Sequence, residues 1–157
     1  MIVVADTSPI NYLILIEEIE ILVKMYGRVV VPRVVREELL RASTPEAVRN
    51  WMSQSPAWLE VHTPASLPDT SLARLDRGER DAILLAAELR ADQLIIDDRQ
   101  GRVEARTRGI PVLGTLGVLQ EAAALDLLDL RRAVNRLQAT SFYIAQDVIA
   151  RLLKDQH

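Results

Sequence analysis

Short apolar segments alternate with longer segments of helical spacing along the chain. Four short segments contain few polar residues: 2–5, 28–31, 93–96 and 110–113. Strands of a parallel sheet have this composition when helices cover both of its faces. A short additional strand is predicted within residues 51–61.

The longer segments repeat apolar residues every three or four positions, which predicts helices. These helices cover residues 9–26, 33–42, 45–54, 77–90, 99–107, 115–125, 128–138 and 144–155. Regular alternation of strands and helices predicts β-α-β units. We therefore expect one three-layer α/β/α domain over residues 1–157, with a central, mostly parallel sheet of four to five strands. The last two helices have apolar faces that serve either an interface or packing within the chain.

Three acidic residues directly follow predicted strands. Asp6 follows the first strand, and Asp97 and Asp98 follow the third. Open α/β sheets place their ligand crevices at the carboxyl ends of strands, which makes these residues candidates for a site. Each position also allows a simpler role, since Asp6 precedes a good helix start and Asp98 precedes a helix or turn.

Glu38 lies on the apolar face of the predicted helix 33–42, between the positions of Val34 and Leu39. Glu37 falls outside that face and is a normal solvated charge. A carboxylate on an apolar face needs a compensating partner. For Glu38 that partner is either an arginine or a bound cation.

Asp81 opens a very apolar helical stretch, and Glu79 lies two residues before it. The spacing of Asp76 and Glu79 is that of a capping box, which gives both residues a structural explanation. Asp81 lies past the first turn, where the helix dipole no longer favours an acid. Asp81 is therefore the first candidate from this helix, and Glu79 is the second.

Converging carboxylates repel one another unless a hard divalent cation neutralises them. Oxygen ligands favour Mg²⁺ or Mn²⁺ over Zn²⁺. Carboxylates that hold such ions support hydrolysis of phosphodiester bonds without a side-chain nucleophile. The chain has no cysteine and no Gly-x-Ser-x-Gly sequence, which argues against thiolate zinc sites, cysteine nucleophiles and serine-hydrolase chemistry.

The formal net charge of −3 argues against binding nucleic acid by a bulk positive field. However, 17 of the 19 basic residues are arginines, which pair bidentately with phosphate or carboxylate. Absence of cysteine agrees with a cytoplasmic protein. The longest apolar stretch, residues 10–23, contains three glutamates and is shorter than the ~20 residues that a membrane span needs. We expect neither a membrane span nor a secretory signal.

Four segments carry these acids in a fixed order. They are Ile-Val-Val-Ala-Asp-Thr-Ser at 2–8, Val-Pro-Arg-Val-Val-Arg-Glu-Glu-Leu at 31–39, Gly-Glu-Arg-Asp-Ala-Ile at 78–83, and Leu-Ile-Ile-Asp-Asp-Arg at 94–99 followed by Gly-Ile-Pro-Val-Leu-Gly-Thr-Leu at 109–116. Taken together, they resemble the motifs of PIN-domain ribonucleases, especially VapC-like toxins of toxin–antitoxin pairs. The resemblance spans nearly the whole chain and implies a PIN-like fold.

The resemblance implies that Mg²⁺ or Mn²⁺ is bound by four catalytic acids, namely Asp6, Glu38, Asp81 and Asp98. Thr7 or Ser8 would be a hydrogen-bonding neighbour of the first acid. Many family members carry a further acid where this chain has Gln100, so Asp97 is either a compensating ligand or an edge residue. Glu79 is the alternative to Asp81.

The leading hypothesis is a metal-dependent endoribonuclease that hydrolyses single-stranded RNA. The resemblance also implies a homodimer and a cognate antitoxin that inserts an arginine between the carboxylates. Two alternatives remain open: a catalytically inactive binding or regulatory module of the same fold, and a Mg²⁺-dependent phosphoacceptor or phosphatase-like domain. The phosphatase pattern Asp-x-Asp is replaced here by Asp6-Thr-Ser8, which weighs against the last alternative.

Overall fold

The computed structural model describes residues 1–67 and 69–154, and within them the central element is a five-stranded parallel sheet. The strands are β1 (Val3–Ala5), β2 (Val29–Pro32), β3 (Leu59–His62), β4 (Gln93–Ile95) and β5 (Val112–Leu113). Their order across the sheet is β3-β2-β1-β4-β5. The predicted α/β/α architecture is confirmed, including the additional strand within residues 51–61, which is β3.

Helices connect the strands and cover both faces of the sheet. They are α1 (Thr7–Leu15), α2 (Ile21–Tyr26), α3 (Arg33–Leu39), α4 (Glu46–Ser53), α5 (Arg77–Leu89), α6 (Arg99–Thr107), α7 (Thr115–Ala124), α8 (Leu130–Gln138) and α9 (Gln146–Lys154), with a short 3₁₀ helix at Thr70–Leu72. The predicted helix 144–155 extends to residue 155, which lies outside the described residues.

Alternate residues of β1, β2, β4 and β5 enter two separate apolar cores, whereas β3 contributes only to the first. Val3 and Ala5 of β1 face the core formed with α1, α2, α4, α7 and α8. Val4 faces the second core, formed with α5 and α6. Burial on both faces explains why the strand segments are apolar without alternation.

The C-terminal helices pack within the chain. Leu130, Val134 and Leu137 of α8 are buried in the first core, together with Leu152 of α9. Packing within the chain therefore accounts for these apolar faces. No helix in the described part of the chain combines the length and apolar character needed to cross a bilayer.

The prediction of one helix over residues 9–26 is wrong, because the chain turns between α1 and α2. Glu17 has a left-handed backbone with φ 63°. The amide of Glu18 donates to the carbonyl oxygen of Leu13 (2.8 Å), and the amide of Glu17 donates to that of Ile14 (3.0 Å). These bonds close the end of α1 as in a Schellman motif. The turn lets Ile16 and Ile19 enter the core.

Replacing Glu17 by glycine is expected to raise the free energy of unfolding by about 0.5–1 kcal/mol, because glycine adopts the left-handed conformation without a Cβ penalty. The ion pair lost with Glu17 spans 3.7 Å to Arg136, and its glutamate side chain is 81% exposed, so it contributes little. Urea unfolding in EDTA measures the change. The matched control is Glu20→Gly, which changes a residue with φ −67° and is not expected to stabilise, because no positive φ is relieved there. Destabilisation by Glu17→Gly would contradict this account of the turn.

Candidate active site

The candidate site lies where the strand order of the sheet reverses, between β1 and β4. The chain passes from β1 to β2 on one side of the sheet and from β4 to β5 on the other. Such a reversal opens a crevice at the carboxyl ends of the two central strands. Asp6 follows β1 there, and its amide donates to the carbonyl oxygen of Ile95 on β4 (2.9 Å).

The carboxylate of Asp6 is buried, with only 5% of the residue exposed. Its Oδ1 is out of contact with solvent and has no hydrogen-bond partner among the described residues. Although Asp6 occupies the N-cap position of α1, its side chain makes no capping bond. Burial is the largest cause that raises the pKa of Asp6, a backbone hydrogen bond at Thr7 lowers it, and the charges of Asp76, Glu38 and Asp97 raise it. Together these effects bring the pKa of Asp6 to about 7.

Glu38 reaches the same crevice from α3. Its Oε2 accepts a hydrogen bond from the Thr7 hydroxyl (2.5 Å). No arginine within the described part of the chain forms an ion pair with it. The hydrogen-bond partner of Glu38 is therefore Thr7, and not the arginine that an ion pair would have required.

Gly78 of α5 provides the space in which these carboxylates meet. A Cβ at Gly78 would lie 3.0 Å from each carboxylate oxygen of Glu38 and 3.3 Å from Oδ1 of Asp6. Any larger residue would crowd both acids. Because Gly78 lies in the first turn of α5, the positive end of that helix faces the carboxylates and partly offsets their repulsion.

Asp97 ties three elements together. Its Oδ2 accepts from the hydroxyls of Ser8 (2.8 Å) and Thr115 (2.7 Å), and its Oδ1 accepts from the amide of Thr115 (2.7 Å). These bonds link the end of β4 to the first turns of α1 and α7. Both carboxylate oxygens of Asp97 are therefore hydrogen-bonded, and these bonds hold the walls of the crevice together.

Asp98 caps the next helix. Its Oδ2 accepts from the amide of Gly101 (2.8 Å) at the start of α6. The residue is exposed at the edge of the crevice, and its charge raises the pKa of Glu79. Asp98 therefore combines a cap with a position near the other acids.

Glu79 and Asp81 have different surroundings. Burial raises the pKa of Glu79 most, followed by the charge of Asp76 and a hydrogen bond with it, and then by the charges of Asp98 and Asp6. Together these effects bring the pKa of Glu79 to about 8. Burial also raises the pKa of Asp81, but the charges that act on it are those of Arg77 and Arg80, which lower it. The structure brings Glu79 to the acidic cluster and leaves Asp81 among arginines.

Asp76 is a site residue that the sequence pattern did not single out. It caps α5, with Oδ1 accepting from the amide of Glu79 (2.8 Å), which confirms the predicted cap. Its charge also acts on Asp6 and Glu79. The capping box gave Asp76 a sufficient structural role, so no sequence signal pointed to the crevice.

Comparison with protein families identifies the fold family. The sequence model of the DUF3368 family, described as a PIN domain, matches residues 2–157. The chain belongs to the PIN-domain family. PIN domains are nuclease-like and generally use divalent metals. A solved PilT N-terminus domain protein from the hyperthermophilic archaeon Sulfolobus solfataricus superposes on 92% of this chain and 100% of its own, with a TM-score of 0.53 and 14% identity. No curated protein matches the chain significantly.

The donor set of this PIN domain suits a hard divalent cation. Asp6 supplies a buried carboxylate oxygen without a partner. This oxygen and both carboxylate oxygens of Glu38 lie within 3.3 Å of the position that a Cβ would take at Gly78. Within residues 1–67 and 69–154, no three acidic or histidine side chains are already close enough to form a metal-binding group. Bonds to Thr7 and Gly101 hold Glu38 and Asp98 in other arrangements. Binding of a cation therefore requires side chains to turn away from these partners.

The raised pKa of Asp6 makes the stability of the metal-free protein depend on pH. An unfolded aspartate ionises near pH 3.9, whereas folded Asp6 ionises at about 7. Between these values the folded state holds a proton that the unfolded state has lost, so the free energy of unfolding falls as pH rises. Asp6→Asn removes the part of this dependence that Asp6 causes. The variant is expected to gain on the order of 2–4 kcal/mol relative to the parent between pH 4 and pH 8.

Urea unfolding in EDTA at several pH values measures this difference. Asp147→Asn is the control, because Asp147 is an exposed aspartate on α9. An Asp6→Asn curve that runs parallel to the parent over the whole range would refute the buried, unpaired state of Asp6.

Proposed function

We propose that this chain is a divalent-cation-dependent endoribonuclease that hydrolyses phosphodiester bonds of single-stranded RNA. The observation that carries the proposal is the buried, unpartnered Oδ1 of Asp6 beside Glu38 at the crevice. Keeping an ionised carboxylate there costs stability, and a bound cation would compensate that cost. The PIN family, which is nuclease-like, supplies the type of reaction.

The residues that would hold Mg²⁺ or Mn²⁺ are Asp6, Glu38, Asp98 and a fourth acid from α5. Such a cation, when bound, offsets the charge of a phosphodiester and favours ionisation of water. For the fourth acid we favour Glu79 over Asp81, because Glu79 interacts with Asp6 and Asp98 whereas Asp81 interacts with Arg77 and Arg80. Asp97 would act by holding Ser8 and Thr115 in place.

The chain's own groups also prepare the site. The Thr7 hydroxyl holds the Glu38 carboxylate beside Asp6 until a cation competes for it. In the absence of a cation, the raised pKa of Glu79, caused by burial and by the neighbouring acids, favours the protonated carboxyl near neutral pH. That proton must leave when Glu79 becomes a ligand, so a cation is held more tightly as pH rises through 8.

The biological setting is proposed from the resemblance to VapC-like toxins. In that setting the chain acts in the cytoplasm as the toxin of a type II toxin–antitoxin pair, forms a homodimer and is inhibited by a cognate antitoxin. An antitoxin arginine would replace the cation, since a guanidinium pairs bidentately with carboxylates.

The binding-module alternative rests on one observation. Among the described residues no group of three metal ligands is preassembled. A module that binds RNA or a peptide without turnover needs no such group. The two functions differ in a single measurement, which is cleavage.

Partner-free protein is expected to cleave a fluorescein-labelled single-stranded RNA in Mg²⁺ or Mn²⁺ and to lose this activity in EDTA. Asp6→Asn should lower the rate at least ~100-fold, because it removes a charged ligand, while the fold persists. Asp147→Asn on α9 should retain the parental rate. Binding of several RNAs without cleavage would favour the binding module, and an unchanged rate for Asp6→Asn would exclude the proposed site.

A second pair of variants decides the acid of α5. Glu79→Gln is expected to lower the cleavage rate by about 100-fold or more, whereas Asp81→Asn, which alters a carboxylate among arginines, should change it less than about threefold. Unfolding in EDTA checks that both variants fold. The reverse order of effects would assign the role to Asp81.

A further inference from the structure

A pocket of about 330 Å³ adjoins the acidic crevice and shares Asp97 as a wall. Its other walls are one side of α6, strand β5, the start of α7 and the aromatic pair Phe142 and Tyr143. Asp97 and Gly114, which follow β4 and β5, place one end of the pocket at the carboxyl edge of the sheet, where the acids lie. A polymer bound at the acids would therefore reach this pocket with its neighbouring unit.

Two arginines one helical turn apart line this pocket, Arg102 and Arg106. Within residues 1–67 and 69–154, neither forms an ion pair with a carboxylate. The Nε of Arg102 is buried and has no hydrogen-bond partner there. Its Nη1 and Oδ1 of Asp97 each lie 3.0 Å from the position that a Cβ would take at Gly114, so the glycine leaves room for both groups. A buried donor without an acceptor, on an arginine that forms no ion pair, indicates an anionic ligand.

An exposed aromatic ring lies at the mouth of the same pocket. Tyr143 is 85% exposed, which is unusual for a large aromatic residue. The adjacent Phe142 packs edge-on against Tyr12, with ring centroids 5.0 Å apart and an interplanar angle of 79°. Phe142 thus anchors the segment, while Tyr143 presents its ring outside. Nucleobases stack on exposed aromatic rings.

We propose that this pocket binds one nucleotide of single-stranded RNA next to the acidic site. Arg102 and Arg106 pair with its phosphate, and the ring of Tyr143 stacks on its base. The choice of RNA rests on the proposed function. An acidic peptide would satisfy the arginines but would leave the aromatic ring without a partner, and the combination of both features favours a nucleotide.

Fluorescence anisotropy of a 5′-fluorescein-labelled decaribonucleotide tests this subsite. Binding is measured in EDTA, where the proposed cation-dependent cleavage does not occur, over a range of salt concentrations. Arg106→Gln should weaken binding and reduce the slope of log affinity against log salt by about 0.7, which is the value for one lost phosphate contact on a single strand. Arg28→Gln is the matched control, because Arg28 is exposed beside the amino end of β2.

Tyr143→Ser should weaken binding by about 5- to 100-fold and leave the salt slope unchanged, because stacking releases no counterions. Tyr143→Phe should bind like the parent, since the ring is retained. Both Arg106 and Tyr143 are exposed, so these substitutions leave the core intact.

The outcomes separate the subsite from the proposed function. Weakened binding by Arg106→Gln and Tyr143→Ser supports the subsite even when the parent cleaves no RNA. Parental affinity and slope in both variants overturn it even when the parent cleaves RNA. Hexaglutamate that displaces the oligonucleotide and binds equally well to Tyr143→Ser would identify an acidic-peptide site and also overturn it.

Discussion

Burial of the Asp6 carboxylate at the end of the central strand is the constraint on which the site depends. Asp6 follows β1, which has β2 on one side and β4 on the other, so its side chain starts inside the fold. An ionised group there has little water to solvate it. The surrounding elements must then supply compensation, or a ligand from solution must do so.

The surrounding structure compensates only in part. Thr7 satisfies Glu38, and Ser8 and Thr115 satisfy Asp97, but Oδ1 of Asp6 remains without a partner among the described residues. The start of α5 approaches the acids closely because Gly78 has no side chain. Such partly compensated carboxylates are a cost to stability that proteins keep where charge is needed for function. The unpartnered carboxylate oxygen of Asp6 and membership of the PIN family together support a cation-dependent site.

Three acidic residues at the crevice have a structural role. Asp76 and Asp98 cap α5 and α6, and Asp97 joins β4 to α1 and α7. Caps stabilise helices by about 1 kcal/mol each, so these residues contribute to folding as well as to the charge of the crevice. Asp6 makes no such bond. It is therefore the residue whose presence folding explains least.

The sequence by itself determined the architecture and the positions of most of the acids. Apolar segments without alternation predicted strands buried on both faces, and the acids that follow them had to meet at one edge of a parallel sheet. Helix periodicity also placed Glu38 on a buried face. Burial and strand direction could be predicted because both follow from the local pattern of apolar and polar residues.

The tertiary structure alone decided which acids face one another. It turned the chain at Glu17, where one helix was predicted, because Ile16 and Ile19 gain burial in the core. It brought Asp76 and Glu79 to Asp6 and left Asp81 among arginines. It also placed Tyr143 and Arg106, which are far apart in the chain, in the walls of one pocket. These outcomes depend on how α5, α6 and the aromatic segment pack, and such long-range packing leaves no periodic signal in the sequence.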